Sequence, residues 1–250
     1  MRASEVAEAT AVPVLEIGTA WMMDSIGRDV GAAYGLPGRV FWAVGRGGVL
    51  GDVDADVVGA AFGFVAPKMM RDFWEQRPAE LAPREAAARF AEAACAFGRQ
   101  RLAGVDEARL DRLAVLAGRV AEASSPAVGA LFAGWRRVPC PERDGASRAV
   151  LALHVLREHR GGAHIAAFVA SGLQPVQSIM AAPGGRGGEG RAERFGWERP
   201  YPDPAPFVEA RTAIEVATTR GAAVAYEALS GAERSEFAEL VAEVHAAMTA

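Results

Sequence analysis

Arg157, Glu158, His159, Arg160 and His164 fall within eight consecutive residues, around the pair Gly161-Gly162. Guanidinium groups offer planar donor pairs to carboxylates and phosphates, and imidazole exchanges a proton near neutral pH. Drawn together around the glycines, these side chains would hold an anionic ligand, with His159 or His164 as a candidate catalytic proton donor. A plainer reading stands beside it. Arg157 and Arg160 would close a helix, and cations at a helix C-terminus offset the dipole with no further role. No metal centre is expected. His154 and Glu158 share a face at i, i+4, but His154, His159 and His164 follow at five-residue steps, which turns successive rings about 140° apart on one helix.

Three other stretches bear on the same chemistry. Gly45-Arg46-Gly47-Gly48-Val49-Leu50-Gly51-Asp52 is glycine-dense, as are loops that cradle phosphates with backbone amides. It lacks the GxGxxG and Walker spacings, so tight packing against a core explains it as well, with Arg46 free to join the central cluster. Trp197 and Tyr201 lie in an irregular glycine- and proline-rich segment, 183–206, and would cover a ligand as a lid. For DNA, the segment opened by Gln174-Pro175 offers Gln174, Gln177 and Ser178, with Arg186 and Arg191 following. Residues 143–200 carry eight arginines against five acids, a smaller excess than groove-reading domains usually show.

The elements that must position these residues are helices. From Ala149 to Glu158 apolar residues recur at helical spacing. Gly161-Gly162 is expected to break that helix, and a second is expected around His164, Ile165, Phe168 and Val169. Ser171-Gly172-Leu173 turns the chain, and Pro175 suits the first turn of a third helix. Helix, turn, helix at this spacing is a helix-turn-helix pattern, though any tight helical pair in a bundle reads alike. Upstream, Pro13 to about Tyr34 reads as one helix, and further helices cover 53–64, 67–76, 83–102, 106–123 and 126–135. Val138-Pro139-Cys140-Pro141-Glu142 is the best linker. Downstream, 207–229 and 232–248 are helical, the last begun by a Ser230/Glu233 capping box. The predicted fold is all-α: a helical bundle over 1–138, then a helix-turn-helix-like domain over 143–250 with a long Gly/Pro loop, its last helices packing back on the first.

Composition bounds the partners. The 250 residues are 51% hydrophobic and 23% charged with net charge −4, which fits a soluble globular protein and argues against broad electrostatic binding to nucleic acid or anionic membrane. Cys95 and Cys140 are far apart in sequence and read as free thiols in a reducing compartment. No signal-peptide pattern opens the chain and no apolar run is long enough to span a bilayer, so a cytoplasmic protein is expected.

The run LREHRGGAHIAAFVASGLQPVQS resembles the signature of an actinobacterial family of uncharacterised proteins described as helix-turn-helix or winged-helix-like. GRGGVLGDVDADVVGAAFGF, LFAGWRRVP and TTRGAAVAYEALSGAER echo it too, so the resemblance extends from about Leu15 to Leu240. It implies a helix-turn-helix fold and attaches no activity or cofactor. Residues 183–206 depart from a winged helix, lacking the alternation of a β-wing.

Three functions follow as expectations. The first is a helix-turn-helix-like, small-ligand-binding regulator or accessory protein, with the ligand held by Arg46, Arg157, Glu158, His159, Arg160 and His164 under Trp197 and Tyr201. The second is a small-molecule enzyme using the His/Arg cluster between the two domains. The third is an oligomerisation module, a homodimer through alanine-rich helix faces.

Overall fold

A computed structural model describes residues 1–249, and among them fourteen α-helices form and no β-strand. The helices are α1 (Ala3–Ala9), α2 (Ala11–Ala20), α3 (Ser25–Ala33), α4 (Arg39–Gly47), α5 (Ala55–Phe62), α6 (Pro67–Trp74) and α7 (Pro83–Arg101). There follow α8 (Glu107–Ala123), α9 (Ala130–Trp135), α10 (Gly145–Ala170), α11 (Pro175–Met180), α12 (Glu189–Arg194), α13 (Val208–Ala223) and α14 (Gly231–Thr249). The all-α expectation is the observed architecture, and no wing accompanies the helix-turn-helix segment among the described residues.

Helix α10 is the axis. Its 26 residues span about 39 Å at the α-helical rise, and α2, α7, α8, α9 and α13 all pack on it. Asp144 starts it by accepting the Ser147 N–H at 2.8 Å, satisfying one of the orphan donors of the first turn. It ends at Ser171, beyond which Gly172 at φ +72° turns the chain toward α11. Helices on both sides of the 138–143 joint contribute to one hydrophobic core that runs from Val6 to Val244. The last helices pack back on the first, α13 and α14 against α1.

The expected helix break at Gly161-Gly162 does not occur; α10 runs straight through it. The glycines serve a crossing instead. A Cβ on Gly162 would collide with the Val128 carbonyl oxygen, so the missing side chain lets the 126–129 turn lie directly on the helix. The GRGGVLGD stretch is likewise no open loop. Gly45 and Gly47 close α4, and Gly48 begins a 3-10 turn pressed against the Pro83 carbonyl, where a Cβ would again collide. Within that turn the Gly51 N–H donates to the Gly48 carbonyl at 3.0 Å.

Two further expectations change. The helix read over Pro13 to Tyr34 is two, because Asp24 adopts extended backbone and accepts the Ile26 N–H at 3.0 Å, capping a new helix. The Gly/Pro segment 183–206 contains α12 and is fastened by side chains described below. The Ser230/Glu233 capping box forms as read, with Ser230 N–H on Glu233 Oε2 at 2.8 Å and Glu233 N–H on Ser230 Oγ at 3.2 Å. No described helix is long and apolar enough to cross a membrane.

Candidate functional site

Because α10 is unbroken, Arg157, Arg160, Gly161, His164 and Ile165 stand at i, i+3, i+4, i+7 and i+8, one face of a single helix. That face lines a cavity of about 190 Å³, closed by Trp42 and Arg46 of α4, Ser178 of α11 and Arg211 and Glu215 of α13. Leu15, Phe62, Phe64 and Phe195 give it apolar walls, and Arg186 and Arg191 complete the rim.

Glu158 anchors the floor. It accepts Arg46 Nε at 2.7 Å and Nη2 at 2.9 Å, and Arg157 Nη1 at 2.5 Å. Burial alone would raise this carboxyl, but Arg157 and Arg46 hold it well below the ordinary carboxylate range. Burial in turn pushes Arg157 down to about 10, with Arg46 beside it adding repulsion. The Arg46 guanidinium also lies 4.2 Å from the Phe62 ring centroid.

A second carboxylate works the same way on the opposite wall. Glu215 accepts Arg160 Nη2 at 2.7 Å and Arg211 Nη2 at 2.8 Å. Burial opposes its ionisation, yet Arg160 brings it down to about 2. Arg211 Nε also donates to the Ser178 carbonyl at 3.2 Å, joining α13 to α11. Next to this pair His164 Nδ1 meets Thr218 Oγ1 at 2.9 Å, and that hydroxyl already donates to the Ile214 carbonyl at 2.7 Å. The hydroxyl therefore accepts, His164 carries its proton on Nδ1, and Nε2 is the bare nitrogen. Burial, with Arg211 nearby, pushes His164 down to about 4, so the ring is neutral at pH 7.

The cavity is left with more positive charge than it neutralises. Among the described residues, Arg46, Arg157, Arg160, Arg186, Arg191 and Arg211 face only Glu158 and Glu215 there. Arg191 lies 4.9 Å from the Phe195 ring centroid; burial lowers its pKa and neighbouring arginines lower it further. Four buried donors here have no partner among the described residues: Arg157 Nε, Arg160 Nε, Arg211 Nη1 and Ser178 Oγ. Unpaired buried donors are costly, and such an arrangement is relieved by an anion.

Arg46, Arg157, Arg160 and His164 thus come together with Glu158. His159 lies apart. Two residues beyond Arg157 on an intact helix it is turned about 200° away, and its ring packs 5.1 Å from that of Phe132. Burial lowers it to about 4. Trp197 and Tyr201 do not line the cavity. Trp197 Nε1 donates to the Phe64 carbonyl at 2.8 Å and Tyr201 Oη to the Trp197 carbonyl at 2.9 Å, so both fasten the segment whose Arg186, Arg191 and Phe195 form the rim. Among the residues read for DNA contact, Ser178 is 1% exposed inside the cavity, and Arg186 and Arg191 line it. Gln177 Oε1 accepts the Gln174 N–H at 2.8 Å and so caps α11; Gln174 is exposed. No group of histidines, cysteines and carboxylates suited to a metal ion occurs among the described residues.

Sequence reading missed Arg211 and Glu215. Their one signal is a charged i, i+4 pair inside the α13 pattern, which a solvated helix face would show equally.

No curated protein and no solved structure matches the chain. A family profile does: it covers residues 14–205, from α2 through the cavity rim, and by it the chain belongs to a helix-turn-helix family.

Proposed function

We propose that this helix-turn-helix protein is a cytoplasmic, ligand-responsive regulator whose effector is a small anion with an apolar body, held between α4, α10, α11 and α13. The observation that carries the reading is the pair of buried, unpartnered donors Arg211 Nη1 and Ser178 Oγ in a cavity with excess arginine. Such donors suit an anionic head, and Trp42, Phe62 and Phe64 suit a flat or aliphatic body. At about 190 Å³ the space falls below the roughly 300–1,000 Å³ of sites for drug-sized molecules, so a small metabolite is expected.

Native mass spectrometry and an absorbance spectrum of the purified protein would reveal a retained ligand. Titration calorimetry with benzoate and phenyl phosphate then probes the carboxylate and phosphate classes. Binding of either, weakened about tenfold by Ser178→Ala, supports the reading; no binding by any small anion overturns it. Direct DNA binding at two salt concentrations, with and without the bound anion, tests the regulatory half.

His164 supports a second reading, as a small-molecule enzyme. Its neutral ring has a fixed tautomer and borders the cavity, which suits a general base. Turnover lost in His164→Gln with binding retained would separate this reading from the first.

A further inference from the structure

Cys95 lies in α7, and Cys140 stands between Pro139 and Pro141 in the joint that enters α10. Both are free thiols, and their Sγ atoms are 3.7 Å apart although 45 residues separate them. Disulfide sulfurs sit at about 2.05 Å, so a bond requires a small approach of two side chains, one of them on an irregular joint. Access to the two is unequal. Cys95 is fully buried, whereas Cys140 is partly exposed and borders an open groove of about 740 Å³ that Arg136, Arg137 and Arg148 also line. The groove is separate from the anion cavity, which lies along the other half of α10.

We propose that Cys140 and Cys95 form a thiol–disulfide site, in which Cys140 reacts with a hydroperoxide arriving through the groove and Cys95 closes an intramolecular disulfide. Reactivity follows the thiolate. The contact with Cys95 brings Cys140 down to about 7 against the effect of burial, helped by the Glu142 N–H and by Arg148. The same contact, together with burial, pushes Cys95 far up, so it remains a thiol until Cys140 is oxidised.

The chemistry balances in two steps. The Cys140 thiolate attacks one oxygen of hydrogen peroxide; the S–O bond forms, the O–O bond breaks, and the departing hydroxide takes a proton as water. The Cys95 sulfur then attacks the Cys140 sulfenic sulfur; the S–S bond forms, the S–O bond breaks, and the hydroxyl leaves as a second water with the Cys95 proton. Two thiols are oxidised by two electrons and one peroxide is reduced.

The test is intact-mass analysis of the full chain before and after hydrogen peroxide, with peptide mapping and thiol titration under denaturing conditions. The expected result is a mass lower by about 2 Da for the two hydrogens lost, no titratable thiol, and a Cys95–Cys140 cross-linked peptide that a reductant reverses. A mass raised by about 16 or 32 Da, as sulfenic or sulfinic acid gives, with Cys95 still alkylatable would overturn the proposal. So would an unchanged mass or a disulfide-linked dimer. In Cys95→Ser, Cys140 should accumulate as a sulfenic acid captured by dimedone, and an unlabelled Cys140 would assign the first step elsewhere.

Discussion

Arg46 and Glu158, 112 residues apart, meet through two hydrogen bonds of 2.7 and 2.9 Å with both side chains withdrawn from water. The pair ties α4 to α10 at the cavity floor, and Arg157 shares its carboxylate. Three charges therefore stand or fall together.

Glu158→Gln leaves Arg46 and Arg157 buried without a counter-charge. Breaking a buried pair from one side costs roughly 3–5 kcal/mol, and urea unfolding at pH 7 should show a loss of that order. A loss below about 1 kcal/mol would mean that water already screens the pair.

Ser178→Ala should behave in the opposite sense. The hydroxyl is buried with no partner for Oγ, so removing it should leave the melting temperature unchanged or slightly raised. Anion affinity should nevertheless fall about tenfold, near 1.4 kcal/mol. A variant that melts early yet binds normally would show that the hydroxyl serves the fold and not the ligand.

The two adjacent glycines should respond differently to alanine. A Cβ on Gly161 would come no nearer than 3.9 Å to Glu158 Oε2, so Gly161→Ala should stabilise the helix by about 0.5–1 kcal/mol. Gly162→Ala drives its methyl into the Val128 carbonyl and should cost about 1–3 kcal/mol as overpacking. Equal effects at the two positions would contradict the close crossing at Val128.

Acid should weaken the protein well above the carboxylate range. Burial lowers His154 to about 3 and both His159 and His164 to about 4. Each is therefore neutral when folded at a pH where the unfolded ring, near 6.5, already binds a proton. Their contribution is complete above about pH 6.5 and is lost as pH falls toward 4, at up to about 1.4 kcal/mol per pH unit for each ring. Glu215, lowered to about 2, adds a loss only below its unfolded value of about 4.3. Unfolding free energies at pH 7, 6 and 5 should fall steadily, and a flat profile over that range would refute the neutral buried histidines.

Much of this was legible in the residues. Periodicity marks the helices because each must bury an apolar stripe, and charge and spacing single out Arg157, His159, Arg160 and His164 as a cluster that Arg46 joins if the two stretches touch; the structure brings together all but His159. The continuity of α10 was not legible, since what makes Gly162 a contact and not a break is Val128, 34 positions upstream. Its consequence reached the site. With the helix intact, His159 turns to Phe132 and His164 takes the cavity face. Arg211 and Glu215 stayed hidden for a related reason. Glu215 pairs with Arg160, 55 residues away, and Arg211 with Ser178, 33 residues away, and no local pattern records a pairing across helices.

The packing of α13 and α14 on α1 also orders events in time. α1 is synthesised before α13 and α14, and the Val6 and Ala7 it buries in the finished molecule gain those partners only about 200 residues later. At roughly 5–20 residues per second that interval is about 10–40 s. For that time Val6 and Ala7 lack the α13 and α14 surfaces that cover them, an interval longer than small domains usually need to fold. Docking of α1 against α13 and α14 is thus timed by translation.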